Sequence, residues 1–230
     1  MLSLEIYGLG VEIDFARRED EEEVARLLRI FLRERIEKVD LHINYIKKEL
    51  AQEIGSLLFP SLAEVGIWAI HAGGFHFKGG HLIIGPSHCG KSTLTYMALM
   101  NGLSVVSDDI ALLRESEYGI EILPFFSVIF LKDRAIAPEP ERFKPGILRY
   151  LLFPNITNGS TFVKRIEGKG EVLRNVVSNF MWSYDREIQG RQKRFLERLC
   201  NYPGFEIFWG IELYNDTSIF MRVLNEIVQG

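Results

Sequence analysis

Two cysteines in 230 residues, Cys89 and Cys200, cannot build a disulfide framework. No apolar run is long enough to span a bilayer. The N-terminal Met1-Leu2-Ser3-Leu4-Glu5 lacks the basic and apolar regions of a signal peptide. Basic residues are not in excess: 27 Lys and Arg stand against 31 Asp and Glu, a net charge of −4. That leaves no electrostatic footprint for nucleic acid. Repeats and low-complexity segments are missing as well. These absences predict a cytoplasmic protein with neither a membrane nor a nucleic-acid partner. What is present is a hydrophobic content of 47%, ample for a core, in a length that suits one large domain or a domain with a small extension.

One stretch carries chemistry. Gly85-Pro86-Ser87-His88-Cys89-Gly90-Lys91-Ser92-Thr93 fits G-x-x-x-x-G-K-[ST], the P-loop pattern. An apolar strand-like run, His81-Leu82-Ile83-Ile84, precedes it, and a helix-like run, Leu94 to Met100, follows. The glycines let the backbone turn tightly and bring its N–H groups close to a phosphate. The helix starting near Lys91 points its positive dipole end at the same anion. Lys91 can reach the β- and γ-phosphates of a nucleotide, and the Ser92 hydroxyl can ligate Mg²⁺. Cys89, next to that helix start and Lys91, is expected to favour thiolate.

Asp108-Asp109 follows the next strand, Leu103 to Ser107, after a turn at Asn101-Gly102. A crossover between parallel strands brings both strand ends to one sheet edge, where open α/β sheets bind ligands. One aspartate can hold Mg²⁺ there while the other accepts a proton from an attacking hydroxyl. An exposed turn is the plain alternative use of two aspartates.

The rest of the chain predicts scaffold. Residues 2–15 read as strands broken at Gly8-Leu9-Gly10. A helix starts at the acidic run Asp20 to Glu23, and a second is expected over Leu41 to Leu58, with Ile43, Ile46, Leu50 and Ile54 on one side and Pro60 at its end. Gly66 to Ile70 reads as a strand that stops at His71-Ala72, and Lys78-Gly79-Gly80 as a hairpin turn. Further strands are expected at Ile110–Arg114, Ile120–Pro124, Val128–Leu131, Tyr150–Phe153, Thr161–Val163 and Phe205–Trp209. Ala135 to Pro145 reads as a loop. Asn179 to Leu199 is expected to be a helix interrupted at Gly190, and Ser218 to Val228 a closing helix. Arg165, Lys169 and Arg174 are candidates for the extra cation that phosphoryl transfer often uses.

The run from His71 through the loop to Asp108-Asp109 resembles the HPr kinase/phosphorylase family, and more closely its shorter relatives without the N-terminal domain. The resemblance implies an α/β P-loop kinase domain of the HPr kinase and phosphoenolpyruvate carboxykinase type, a mixed sheet flanked by helices over residues 66–230. Residues 1–65 would be an extension packed on it. It implies ATP and Mg²⁺, with Gly85 to Thr93 binding nucleotide and Lys91, His71, Asp108 and Asp109 in the catalytic set. Ser92 and Asp108 would serve the metal. The activity implied is transfer of the γ-phosphate to a hydroxyl of a protein, peptide or metabolite, in a protein that forms a homo-oligomer. Three departures stand out. His88 replaces a usual glycine, Thr93 replaces the glutamate of the bifunctional enzymes, and their C-terminal Glu-Val-Arg-Gly-type motif is absent. The other class of reading is a nucleotide-binding regulator without a transfer substrate.

Overall fold

The computed structural model describes residues 1–45, 50–210 and 212–229. It is a mixed α/β structure with an eight-stranded mixed sheet flanked by helices.

Two antiparallel strands, β1 (Leu2–Ile6) and β2 (Leu9–Phe15), meet at a turn where Tyr7 and Gly8 both have positive φ. Helix α1 (Arg18–Leu27) follows, with Glu19, Asp20 and Glu21 in its first turn, where the helix dipole favours acid. Strand β3 (Leu41–Tyr45) then pairs parallel to β2. This corrects the helix expected from Leu41. Leu41 and Ile43 repeat with the period of two that a strand uses, and β2 supplies their ladder. Ile46 lies outside the described residues. Helix α2 (Leu50–Glu64) contains Pro60 rather than ending there.

The main sheet is built around β4 (Ile67–His76), which runs straight through the expected stop at His71. Its first half pairs antiparallel with β7 (Ile110–Ser116). Its second half pairs with β5 (Gly80–Ile84) and with β6 (Val105–Ser107). Both β5 and β6 oppose β4, so they run the same way. Beyond β7 lies β8 (Gly119–Leu123), joined through a tight turn at Glu117-Tyr118. Strands β9 (Ile129–Leu131) and β10 (Arg134–Ile136) form a separate ribbon, so the expected loop from Ala135 begins as a strand. Strand β11 (Gly146–Ile156) is parallel to β5 and to β13 (Gly204–Trp209), and β12 (Phe162–Ile166) covers the edge of β13. The start of β11 also pairs with β8, which closes β5, β4, β7, β8 and β11 into a ring.

Side chains of one strand alternate between faces. Leu82 and Ile84 belong to one apolar cluster and Ile83 to another, and Leu151, Phe153 and Leu152 divide in the same way. Helices α4 (Lys169–Val177) and α5 (Arg186–Leu199) cover the first face through Val172, Val176, Phe195, Leu196 and Leu199. Helix α3 (Lys91–Met100) and the last long helix, α7 (Thr217–Gln229), cover the second, with the short α6 (Glu212–Asn215) before α7. Helix α5 starts at Asp185, whose carboxylate accepts the Ile188 N–H at 2.9 Å, and it passes unbroken through Gly190. The expected break fails because its apolar face packs on both sides of that residue, at a glycine cost of about 1 kcal/mol. The β1–β3 sheet, α1 and the end of α2 pack against Ile67, Ala69, Ile110, Leu112 and Phe125 of the main body. Among the described residues no helix is long and apolar enough to cross a membrane.

His81 is wholly buried, stacked on Phe75 at 5.0 Å and against Tyr150 at 5.1 Å. Its Nδ1 lies 3.2 Å from the Gly79 carbonyl, an acceptor, which assigns the proton to Nδ1. Burial lowers its pKa from 6.5 to about 4. The unfolded chain takes up a proton below pH 6.5 and the folded chain only below about 4. Stability is therefore fully present above pH 6.5 and declines as pH falls towards 4, by roughly 3 kcal/mol from this residue. A His81→Phe variant should lose that component, so its unfolding free energy should fall less than that of the wild type between pH 6.5 and 4.5. Parallel curves in urea titrations at the two pH values would contradict this.

Candidate active site

Strand β5 ends at Ile84 and delivers Gly85 to the sheet edge shared by the C-terminal ends of β6, β11 and β13. The chain then turns through Pro86, Ser87 and His88, all exposed, and enters α3 at Lys91. Two glycines are closely packed, and the second is required sterically. A Cβ on Gly85 would lie 2.7 Å from Cys89 Sγ. Gly90 has φ +102°, and a Cβ there would lie 2.1 Å from the ring of Trp209. That indole also donates from Nε1 to the Cys89 carbonyl at 3.1 Å. Trp209, at the end of β13, therefore seats the loop from below. Sequence reasoning missed it, because the residue lies far along the chain and only the register of β13 brings it here.

Lys91 is buried, and its ammonium donates to the carbonyls of Gly85 at 2.8 Å and Pro86 at 2.9 Å. Burial holds its pKa below the usual lysine value. His88 has φ +65°, a left-handed conformation that favours the glycine it departs from. Cys89 corrects the expected thiolate: burial pushes its pKa up and outweighs the nearby Lys91.

Asp108 and Asp109 follow β6 and sit in opposite environments. Asp108 is wholly buried; its Oδ2 accepts the Phe130 N–H of β9 at 2.8 Å, and the Ser92 hydroxyl donates to the same carboxylate. Among the described residues its Oδ1 and the Thr95 hydroxyl are buried without a hydrogen-bond partner. Both face Gly73 of β4, where a Cβ would meet them at 3.4 and 2.5 Å. Desolvation raises the Asp108 pKa to about 6. A hydroxyl and a carboxylate with a spare oxygen at a helix start make a donor set suited to a hard cation.

Asp109 is in the left-handed region, φ +64°, and its side chain is 42% exposed. Its Oδ1 lies 3.0 Å from His71 Nε2 of β4, which assigns the proton of that ring to Nε2. His71 and Asp109 line one end of a pocket of about 560 Å³ with Ser87 of the loop. A second cleft, of about 650 Å³, opens beside Thr93 and is lined by Tyr96, Lys132, Arg134 and Thr217.

The structure thus brings Gly85 to Thr93, His71, Asp108 and Asp109 to one sheet edge. It does not bring Arg165 and Lys169 there. Arg165 is in register with Phe205 near the start of β13, and Lys169 bonds Asn201 at the same far edge. Arg174 is exposed on α4. The basic residues near the loop are Lys132 and Arg134 instead, which composition alone could not distinguish from a solvated turn.

No protein-family model and no curated protein matches the chain. Among solved structures, the HPr(Ser) kinase/phosphatase from Coxiella burnetii is similar to it at 15% identity and a TM-score of 0.42, over 70% of this chain and 97% of that one.

Two stability outcomes follow from the contacts. Asn in place of Asp108 mimics the protonated acid, the form that burial favours. Asp108→Asn should match the wild type below about pH 4 and become more stable as pH rises through 6, by up to about 3 kcal/mol. Equal unfolding free energies at pH 8 would mean that Asp108 is not desolvated. Gly90→Ala should cost about 2 kcal/mol or more, from the positive φ and the Trp209 clash together. Adding Trp209→Leu should recover part of that loss, and strictly additive losses in the double variant would disprove the contact.

Proposed function

We propose that the protein is an ATP- and Mg²⁺-dependent phosphotransferase acting on a hydroxyl group. The observation that carries this reading is the division of labour between adjacent aspartates beside the loop. Asp108 is bonded to Ser92 at the helix start, and Asp109 is held by His71 at the mouth of a pocket. The resemblance of residues 66–114 to HPr-kinase-like proteins supports the same reading.

In this mechanism the loop amides and the N-terminus of α3 bind the β- and γ-phosphates. Lys91 must leave the carbonyls of Gly85 and Pro86 to meet the nucleotide, so phosphate replaces two neutral acceptors with an ionic one. Ser92 and Asp108 would hold Mg²⁺, which supplies positive charge to the phosphate oxygens. The pocket beside Asp109 takes the acceptor, so the nucleoside occupies the other side, in the cleft at Thr93 and Tyr96. The acceptor oxygen forms a bond to the γ-phosphorus while the bond from that phosphorus to the β–γ bridging oxygen breaks. ADP leaves with the electron pair, and the hydroxyl proton passes to the Asp109 carboxylate. His71 keeps that carboxylate aimed at the acceptor. Catalysis is mainly positioning and charge stabilisation.

A second reading, a regulator that binds nucleotide without transferring phosphate, is favoured by the engagement of Lys91 with the loop's own carbonyls. Calorimetric titration of ATP, with and without Mg²⁺, tests the shared part. Wild type should bind, more tightly with Mg²⁺, and Lys91→Ala should bind at least tenfold more weakly with an unchanged circular dichroism spectrum. Asp109→Asn separates the readings: it should keep ATP binding and lose at least a hundredfold in transfer. A wild type that binds no ATP would refute both.

A further inference from the structure

We infer that the acceptor is a small alcohol with an apolar body and no negative charge. The inference rests on the phosphotransferase reading and deepens it.

The pocket beside His71 and Asp109 has a volume of about 560 Å³, within the range of small-molecule sites. Its walls are mainly apolar, with Phe59 and Ala63 from α2, Trp68 from β4, and Met181 and Trp182 from the segment joining α4 to α5; Ser183, Tyr184 and Gln192 add neutral polar groups. Its polar end is the catalytic pair and Ser87. Among the described residues no lysine or arginine lines it, and Asp109 is the only acidic residue that does. Arg191 stacks on Trp68 at 5.4 Å but lines a different hollow. An anionic acceptor would meet Asp109 with no lysine or arginine in the pocket lining to compensate, a repulsion that works as selection against it.

The 181–183 wall is held in place. Gln192 of α5 is 2% exposed and spends its amide there: Nε2 donates to the Met181 carbonyl at 2.9 Å, and Oε1 accepts the Ser183 N–H at 3.0 Å. Gln189 donates to the Ser183 carbonyl at 2.7 Å, and the Met181 N–H donates to the Ala69 carbonyl at 3.1 Å. The backbone groups of Met181 and Ser183 are therefore committed within the protein. A peptide lying along this wall would find both N–H donors taken and each carbonyl already accepting one bond, whereas an apolar body asks for no such partners. Trp182, 38% exposed, offers a flat face to such a body.

The transferred group makes a new O–P bond to the alcohol, with ADP as leaving group and Asp109 taking the proton. The test measures transfer of γ-labelled phosphate from ATP to four probes: 2-phenylethanol, phenylalaninol (a cation), phenyllactate (an anion) and the blocked peptide acetyl-Trp-Ser-amide. The same protein is first titrated with ATP, so loss of nucleotide binding is seen separately and would overturn both the function and this inference. With ATP bound, kcat/KM for 2-phenylethanol and phenylalaninol should exceed that for phenyllactate and the peptide at least a hundredfold. Trp182→Arg should cut the preference over phenyllactate at least tenfold. Equal use of phenyllactate, preference for the peptide, or no transfer to either alcohol despite ATP binding would each overturn the acceptor class while leaving the nucleotide reading intact.

Discussion

A buried carboxylate with one oxygen unpaired among the described residues constrains this fold more than any other single group. Asp108 is wholly buried, and its pKa is raised to about 6. Four elements converge to keep it in place: β6 carries it, β9 donates the Phe130 amide, α3 donates the Ser92 hydroxyl, and β4 leaves room at Gly73. Even so, among the described residues one oxygen finds no hydrogen-bond partner. A desolvated charge with a spare lone pair is a cost to folding and an asset to a site that captures a cation. Such a balance is typical of places where a protein gives up stability for function.

The loop obeys a second constraint, from contact rather than charge. Gly90 must be glycine both for its φ and because the Trp209 ring occupies the place of a side chain. The indole then bonds the Cys89 carbonyl. Helix α3 and strand β13 are thus tied through a single residue, and the direction of the first turn of α3 follows from how β13 pairs with β11. Lys91 adds a conformational element. Folded back on Gly85 and Pro86, it satisfies the loop's carbonyls and spares itself an unpaired burial. Any anion entering the loop competes with two well-made hydrogen bonds, which sets a threshold on the charge the ligand must carry.

Local features were legible in the sequence where local physics decides them. The glycine spacing around Lys91, the hairpin at Gly79 and the acidic start of α1 all involve residues close along the chain. What escaped involves long-range pairing. Leu41 to Tyr45 became a strand because β2 offered a ladder, and β4 continued past His71 because it pairs with β7 on one half and β5 on the other. Trp209 looked like an ordinary strand residue. Cys89 was misjudged because its neighbours in sequence are positive, while its surroundings in space are apolar enough to reverse the sign of the shift. The far-edge placement of Arg165 and Lys169 needed the antiparallel register of β12 on β13, which charge alone does not encode.

The backbone at Asp109 explains how two adjacent aspartates can do different work. Consecutive residues of a strand already point to opposite faces, but both would still leave the edge together. Here Asp109 takes the left-handed conformation, which Asp tolerates better than most residues. The Ala72 N–H donates to its carbonyl at 3.0 Å, and the Ile110 N–H to that of Asp108 at 2.8 Å, so the reversal is locked from both sides. One carboxylate is thereby driven into the protein against Ser92, and the other is left in solvent against His71. Burial raises the proton affinity of Asp108 without any change of residue type. The strain at Asp109 is accordingly best understood as the cost of that separation, borne by a backbone that the surrounding sheet holds in place.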